Sequence, residues 1–556
     1  MQQPTVLILG GTGTFGGRLA RLLAEDDRIS LVVAGRSRAA AEAFCRTLAA
    51  RGPLRAAAID RNGALEPVLR DMAPDIVVDA SGPFQAYGDE PYRVVKACLA
   101  LGICYLDLAD GSDFVQGIAT LDAEACRRGV FILSGASTFP ALSTAVVRAL
   151  SQGWTRVRSI TSGIAPSPHV DLGRNVIGAI ASYAGKKVLL VRDGSAATGR
   201  GLIEARRFTV GAPGMLPLKS RRFALADVPD LRMAKTLWPG LQTIWVGVGT
   251  LPEATHRGLS ALAWLVRLGM MRSLSALAPL FYRVARQVRW GEHRGGMFVA
   301  VTGDDARGAR IARAWHLIAE GDDGPFVPAM AAAALIAKVV AGSPPARGAR
   351  AALEELSLED FTAQFARRNI RTGTWTRMPA ALPLYRRFFS DAWETLPQPI
   401  RALHDGVARA RGVAQVERGT GILARLAAAI IGFPKAGKDV PVEVAFSARD
   451  GRETWTRTFA GRSFSSEQFE GRGRSAGLLC ERFGPLTFGL AMTIEGDRLR
   501  LIVRRWSAFG VKLPFFLAPR GESYESVEAA RFRFHVEIGF PWTGPIVRYR
   551  GWLVPA

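Results

Sequence analysis

The sequence predicts an α/β chain of several domains: a doubly wound parallel sheet, an inserted α+β domain, and a C-terminal, mainly antiparallel β domain with short helices. Three observations carry this prediction. A glycine-rich turn joins an apolar strand to a helix near the amino terminus, and apolar strands then alternate with helical segments as far as Ser134. From about Leu382 the pattern changes to short alternating strands separated by turn residues. At 556 residues the chain is too long for one core, and its 48% hydrophobic and 22% charged residues suit a globular chain with sizeable cores.

Thr5–Leu9 is an apolar run of the kind a buried parallel strand requires. Gly10-Gly11-Thr12-Gly13-Thr14-Phe15-Gly16 follows at once, and residues 18–24 have helical periodicity. Glycines at such a turn permit tight bending and close backbone approach, while free N–H groups and the positive end of the helix dipole face a pyrophosphate. Residues 29–34 (ISLVVA) are the second strand and complete a βαβ unit of about thirty residues, the Rossmann dinucleotide-binding arrangement.

The end of that strand discriminates between nucleotides. An NAD site wants Asp or Glu there to hold the ribose hydroxyls. This chain has Gly35-Arg36-Ser37-Arg38, in which Arg36 and Ser37, with Arg38 beside them, can donate to a 2′-phosphate that a carboxylate would repel. NADP(H) is therefore the expected cofactor and NAD(H) the alternative; the same arginines would also serve as plain caps of a surface turn. Residues 54–60 read as a third strand with Asp60 placed to meet the adenine. Residues 75–80 read as a fourth, and Ser81-Gly82-Pro83-Phe84 after it should line the ribose and nicotinamide side. A helix over 91–101, a strand at 103–108, another helix and a strand at 130–134 complete the sheet.

These residues resemble the saccharopine-dehydrogenase-like reductases. The likeness rests on the glycine turn, Ala34-Gly35-Arg36, Ser81-Gly82-Pro83-Phe84-x-x-Tyr87-Gly88, Ala97-Cys98-Leu99-x-x-Gly102-x-x-Tyr105-x-Asp107 and Ser134-Gly135-Ala136-Ser137-x-x-Pro140-Ala141-Leu142. Trp315-His316-Leu317-x-Ala319-Glu320 and Gly324-Pro325-Phe326-Val327-Pro328-Ala329 look like the segment that returns the chain to the nucleotide domain. The resemblance covers roughly residues 1–360. It implies a Rossmann NADP-binding domain over 1–138 completed by about 325–345 and an inserted α+β substrate or dimerisation domain over 139–324; Gly342-Ser343-Pro344-Pro345 reads as a boundary before a linker over 346–380, although the likeness keeps Leu353–Phe365 with the reductase. It also implies an NAD(P)-dependent oxidoreductase that reduces a C=N, C=O or C=C bond, lipid-like substrates included. A non-catalytic nucleotide sensor or scaffold is the alternative. Where many relatives have Gly-Glu soon after Tyr-x-Asp, this chain has Ala109-Asp110, so substrate recognition is not carried over to that position.

Hydride transfer depends on placement of the nicotinamide, but reduction of an imine or carbonyl also needs a proton donor. The candidates are Tyr87, Tyr105, Asp107, His169 in a Pro-Ser-Pro-His loop, and His316 before the Gly-Asp-Asp-Gly-Pro turn; for each, a structural role is the competing reading. The five cysteines (Cys45, Cys98, Cys104, Cys126, Cys480) form no CxxC pair, so neither a metal site nor a disulfide framework is indicated.

A formal net charge of +23 permits an acidic partner, yet the basic residues are mostly scattered arginines without a basic block. Nucleic acid is therefore not an expected partner. Residues 259–290 are the most hydrophobic stretch. On a helical wheel Arg267, Arg272, Arg283, Arg286 and Arg289 share about 160° of arc, which fits an interfacial membrane helix. Core packing or a homodimer interface accounts for the same pattern, and Gly269 and Pro279 should break the helix. With Met1 running straight into the first strand, the expected location is cytoplasmic, with peripheral membrane contact left open.

Residues 381–556 are expected to form one mostly β domain. Helical stretches at 384–393 and 421–431 precede strands at 440–448, 453–459, 486–494, 499–507, 527–538 and 546–553. Tyr385-Arg386-Arg387, Val416-Glu417-Arg418-Gly419, Glu453-Thr454-Trp455-x-Arg457, Glu481-Arg482-Phe483-Gly484-Pro485 and Tyr549-Arg550-Gly551-Trp552-Leu553 resemble a bacterial domain of unknown function that recurs fused to such reductases. Glu417, His404 and Glu481 could line a ligand cavity or make cross-strand ion pairs.

Overall fold

In the computed structural model, which describes residues 3–250 and 252–556, Val6, Leu7 and Ile8 have no solvent exposure, as a strand covered on both faces requires. Met1 lies outside the described residues. The first elements are β1 (Thr5–Leu9), α1 (Gly16–Leu23), β2 (Ser30–Gly35), α2 (Arg38–Cys45), β3 (Leu54–Ala58), α3 (Leu65–Met72) and β4 (Ile76–Asp79). They continue with α4 (Arg93–Leu101), β5 (Cys104–Asp107), α5 (Ser112–Gly117), α6 (Asp122–Arg128) and β6 (Phe131–Ser134). The strands run parallel in the order β3-β2-β1-β4-β5-β6, and Gly348–Ala351 adds a seventh beside β6. The order reverses between β1 and β4, which opens a crevice at the carboxyl ends of those strands.

The returning segment is helix Val327–Val340, which packs against α1 and is apolar nearly all round, with Ala329 to Ile336 buried. Strand Gly348–Ala351 and helix Leu358–Phe365 fall inside 346–380, the stretch expected to be a linker. The sequence Gly-Ala-Arg-Ala has no β-branched residue, so pairing with β6 rather than local propensity makes it a strand.

After α7 (Ser143–Leu150), β7 (Arg156–Ala165) lies near the middle of a second, mixed sheet. It pairs in parallel with Thr243–Gly249 and antiparallel with Arg294–Asp304, which pairs with Arg310–Glu320. Helix α8 (Gly173–Tyr183) follows β7. Within 259–290 the chain forms the end of helix Glu253–Arg267 and the whole of helix Ala278–Gln287. Gly269, at φ +77°, ends the first, whereas Pro279 stands in the first turn of the second and starts it. Ala263 and Leu274 join a core cluster with Ala181 and Ala184, but Leu268, Met270 and Trp290 stay exposed. Among the described residues no helix is long and apolar enough to cross a membrane.

The chain divides into two compact units. One runs to Arg206 and resumes over 222–371; the other joins 207–221 to 372–556. The second unit holds an eleven-stranded antiparallel sheet. Arg409–Arg418, Gly437–Arg449, Arg452–Phe459, Arg462–Glu470, Leu479–Phe483 and Leu486–Glu495 pair in chain order. Leu486–Glu495 also pairs with Arg498–Ala508, which pairs with Ser523–Glu528. From there Arg531–Phe540 and Gly544–Pro555 lead back to Arg409–Arg418, so the sheet closes into a barrel. The single strand expected at 527–538 is two strands joined at Ala529-Ala530.

Candidate functional site

Two glycines shape the floor of the crevice. Gly10 has φ +72°, and a Cβ there would come within 2.8 Å of the Ala80 carbonyl oxygen. A Cβ on Gly16 would collide with the carbonyl oxygen of Gly10. The turn is held by Gly13 N–H donating to Gly10 O (2.9 Å) and Gly17 N–H to Gly13 O (2.9 Å). Helix α1 begins without a side-chain cap, which leaves the positive end of its dipole open to an anion.

A cleft of about 800 Å³ opens above this turn. On the nucleotide side, Gly10, Thr12, Gly13, Thr14 and Phe15 line it with Arg36, Asp60 and Ser81-Gly82-Pro83. Gly11 and Gly16 lie beneath, against Val33 and Gly10 respectively. Arg36 stands at the end of β2, is exposed and makes no ion pair among the described residues, whereas Arg38 is paired with Glu42 at 3.0 Å. The Ser37 hydroxyl is the N-cap of α2, accepting the Ala40 N–H at 3.3 Å. Asp60 accepts the Asn62 N–H at 3.0 Å, and Arg61 beside it stacks its guanidinium 3.3 Å from the Tyr87 ring centre. These features suit a dinucleotide: a backbone cradle that a side chain would fill, a helix terminus, and an unpaired guanidinium at the end of β2.

The opposite wall comes from the second sheet and α8. Asn175 donates to Gly82 O at 2.6 Å, and Gly173, at φ +78°, lies so close to Thr14 that a Cβ would strike its hydroxyl. Asp110, Tyr183 and Asp227 line the same space. Burial raises the Asp110 carboxyl above its usual range, and Asp227 adds to this against the hydrogen bond from Gln85 at 3.0 Å. Burial also raises Asp227, although Ser112 donates to it at 2.8 Å. Tyr183 is held protonated by burial and by both carboxylates.

None of the five proton-donor candidates lines this cleft. The Tyr87 hydroxyl lies 2.9 Å from the Ser81 hydroxyl and 3.2 Å from Asp79, and burial raises its pKa. Tyr105 is fully buried in the parallel sheet, and its pKa is likewise driven up by burial. Asp107 is fully buried and ties the ends of β5 and β6 together, accepting from Ser134 Oγ (3.0 Å) and Gly135 N–H (2.7 Å). His169 lies 3.1 Å from Gly291 O and packs against His293 at 4.9 Å. His316 stacks on Phe298 at 6.2 Å, and burial lowers its pKa to about 4. Its neighbour Leu317 and then Ala319 line the cleft, so strand alternation turns His316 to the other face. Asp110 carried a sequence signal as the shortened acidic position; Tyr183 and Asp227 carried none, because only the fold brings them there.

Residues 6–133 match the family model of the saccharopine dehydrogenase NADP binding domain, and residues 396–553 match that of a domain of unknown function, DUF4166. Among solved structures, the chain is similar to apo histidine-tagged saccharopine dehydrogenase (L-Glu forming) from Saccharomyces cerevisiae. That match has 15% identity and a TM-score of 0.49, covering 67% of this chain and 99% of that one. A mutant meso-dapdh from Clostridium tetani in complex with DAP matches at 14% identity with a TM-score of 0.32, over 64% of this chain and 95% of that one. No curated protein matches. The chain thus joins an amino-terminal saccharopine dehydrogenase NADP-binding domain, of the NAD(P)-dependent oxidoreductase type, to a carboxy-terminal DUF4166 domain.

Proposed function

We propose that the protein is an NADP(H)-dependent reductase of a C=N, C=O or C=C bond in a small-molecule substrate. The observation that carries this is a single cleft lined by the glycine turn and the unpaired Arg36 on one side and by Asp110, Tyr183 and Asp227 on the other. When bound, the nicotinamide supplies a hydride. The α1 N-terminus and the glycine turn hold the pyrophosphate, and Arg36 pairs with the 2′-phosphate. Asp110, whose carboxyl burial and Asp227 hold above its usual range, is the group placed to give the proton that the reduced substrate needs. Tyr183, with its proton firmly held, donates a hydrogen bond that orients the substrate.

The test compares NADPH and NADH binding in the wild type and in Arg36→Asp, then follows NADPH fluorescence with imine, carbonyl and enoyl substrates. The wild type should prefer NADPH and the variant should lose that preference; equal preference in both proteins would overturn the cofactor assignment. Substrate-dependent loss of NADPH should slow by roughly 10²- to 10⁴-fold in Asp110→Asn. Tight NADPH binding without turnover on any of these substrates would favour a nucleotide sensor instead.

A further inference from the structure

The interior of a β-barrel widens with strand number, and eight strands already leave room for packed side chains or one small ligand. The barrel of the C-terminal unit closes through ten strands, and it contains a cavity of about 170 Å³. Trp455, Phe459, Phe488, Leu501, Phe534 and Tyr549 make its wall largely aromatic and aliphatic. The outward positions between these are polar: Thr456 and Thr458 share hydrogen bonds with Ser465 and Ser463 at 2.9 and 2.8 Å.

Polar side chains interrupt the apolar wall: Arg520, Glu525, His535 and Glu537 line it too, and a buried cluster surrounds Glu481. The Glu481 carboxylate, 8% exposed, accepts from Arg457 Nη2 (3.0 Å), Ser466 Oγ (2.7 Å) and Gln468 Nε2 (3.2 Å). With its nitrogen so engaged, Gln468, only 1% exposed, keeps its Oε1 buried without a partner. The hydroxyl of Tyr385, also 1% exposed, is likewise without a partner, and both residues line the cavity. A buried acceptor and a buried hydroxyl left unpaired are costly, so the cavity favours a guest that satisfies them. Beside Gln468, Arg457 and Glu481 neutralise each other, which favours an uncharged polar group over a carboxylate or an amine at that cluster.

The two ends of the barrel differ. At one end, helices Leu384–Phe389 and Gln398–His404 place Tyr385 and His404 against Trp455, at 5.8 and 5.3 Å between ring centres. The antiparallel register sends the turns at 459–462, 483–486, 508–511 and 540–544 to the opposite end, where helix Ile422–Ile431 also lies. There Ile422, Ile430, Phe509 and Phe516 are 71–84% exposed. Of the cavity lining, Ile431, Leu486 and Phe540 lie at this same end, so the exposed apolar residues there give a poorly soluble guest a path out of water.

We propose that the C-terminal barrel binds a neutral amphiphile, an apolar chain ending in a hydroxyl, with the chain in the aromatic interior and the hydroxyl at Gln468 and Tyr385. All of these residues belong to the unit that holds none of the nucleotide-cleft residues, so the binding is separable from NADPH binding. The test titrates the full chain with 1-decanol and with decane by calorimetry. The wild type should bind one 1-decanol saturably. Gln468→Leu should weaken 1-decanol at least tenfold and leave decane unchanged, and Leu501→Trp should abolish both by filling the cavity. Thermal unfolding checks each variant, with Leu501→Phe standing in if the tryptophan variant does not fold. Absence of saturable binding to the folded wild type, equal loss of decanol and decane in Gln468→Leu, or unchanged affinity in the filled variant would each overturn the proposal.

Discussion

Asp107 accepts hydrogen bonds from Ser134, Gly135 and Ala109, which favour its charged form, yet burial outweighs them and raises its pKa to about 7. In the unfolded chain the same carboxyl would titrate near about 4. Between these values the folded protein binds the extra proton, so Asp107 lowers stability as pH rises from about 4 to 7. Asp107→Asn keeps an acceptor for the three donors and removes the titration. The variant should therefore gain thermal stability relative to wild type at pH 8 and gain less at pH 5; an equal difference at both values would refute the assignment. At such positions the sequence was only partly legible. The place of Arg36 in the fold could be read directly, because the end of β2 is fixed by the βαβ pattern. The roles of Tyr105, Asp107 and His316 could not, since whether a side chain faces a cleft or a core is decided by strand alternation and by the layer above.

Helix α8 brings the second sheet's side of the cleft onto the nucleotide side through Gly173 beside Thr14 and Asn175 on Gly82. Gly173→Ala adds a Cβ where φ is +78° and where Thr14 already stands, so the helix end must move. NADPH affinity should fall about tenfold or more, an order of magnitude corresponding to about 1.4 kcal/mol, while unfolding in the absence of nucleotide changes less. A binding titration beside a denaturant melt separates the two effects. The hairpin at Ala529-Ala530 joins strands at Glu528 and Arg531 with both residues at positive φ, 50° and 59°. Such two-residue turns favour Asn-Gly, and alanine in the left-handed region costs roughly 1–2 kcal/mol. Replacing the pair by Asn-Gly should raise the denaturant midpoint of the barrel. The same absence of a turn residue is why 527–538 reads as one strand, whereas Asp450-Gly451 marks its hairpin plainly.

The two units have separate cores, so unfolding by denaturant should show more than one transition. NADPH at a hundred times its dissociation constant should add about 2.7 kcal/mol to the transition of the unit that holds the cleft and leave the barrel's transition in place. A uniform shift of every probe would contradict this. Much of the architecture was legible from periodicity and turn residues: the parallel sheet and the antiparallel character of the last 175 or so residues, whereas the returning segment was read only through the family resemblance. Closure into a barrel was not, because it depends on Leu486–Glu495 pairing on both its edges, and pattern along the chain does not say which strands meet.

The parallel sheet gains its last strand, Gly348–Ala351, only after the chain has left it at Ser134 and built all of the second sheet but its edge strand Ile370–Thr376. During synthesis, β6 must therefore wait with a bare edge until the ribosome has passed that point. At about 5–20 residues per second this lasts roughly 10–40 s. An unpaired edge in a nascent chain is a template for the wrong partner. Helper proteins that shield nascent chains would then matter most in the interval between these two strands, and codon changes that slow translation there should lower the soluble yield without altering the finished protein.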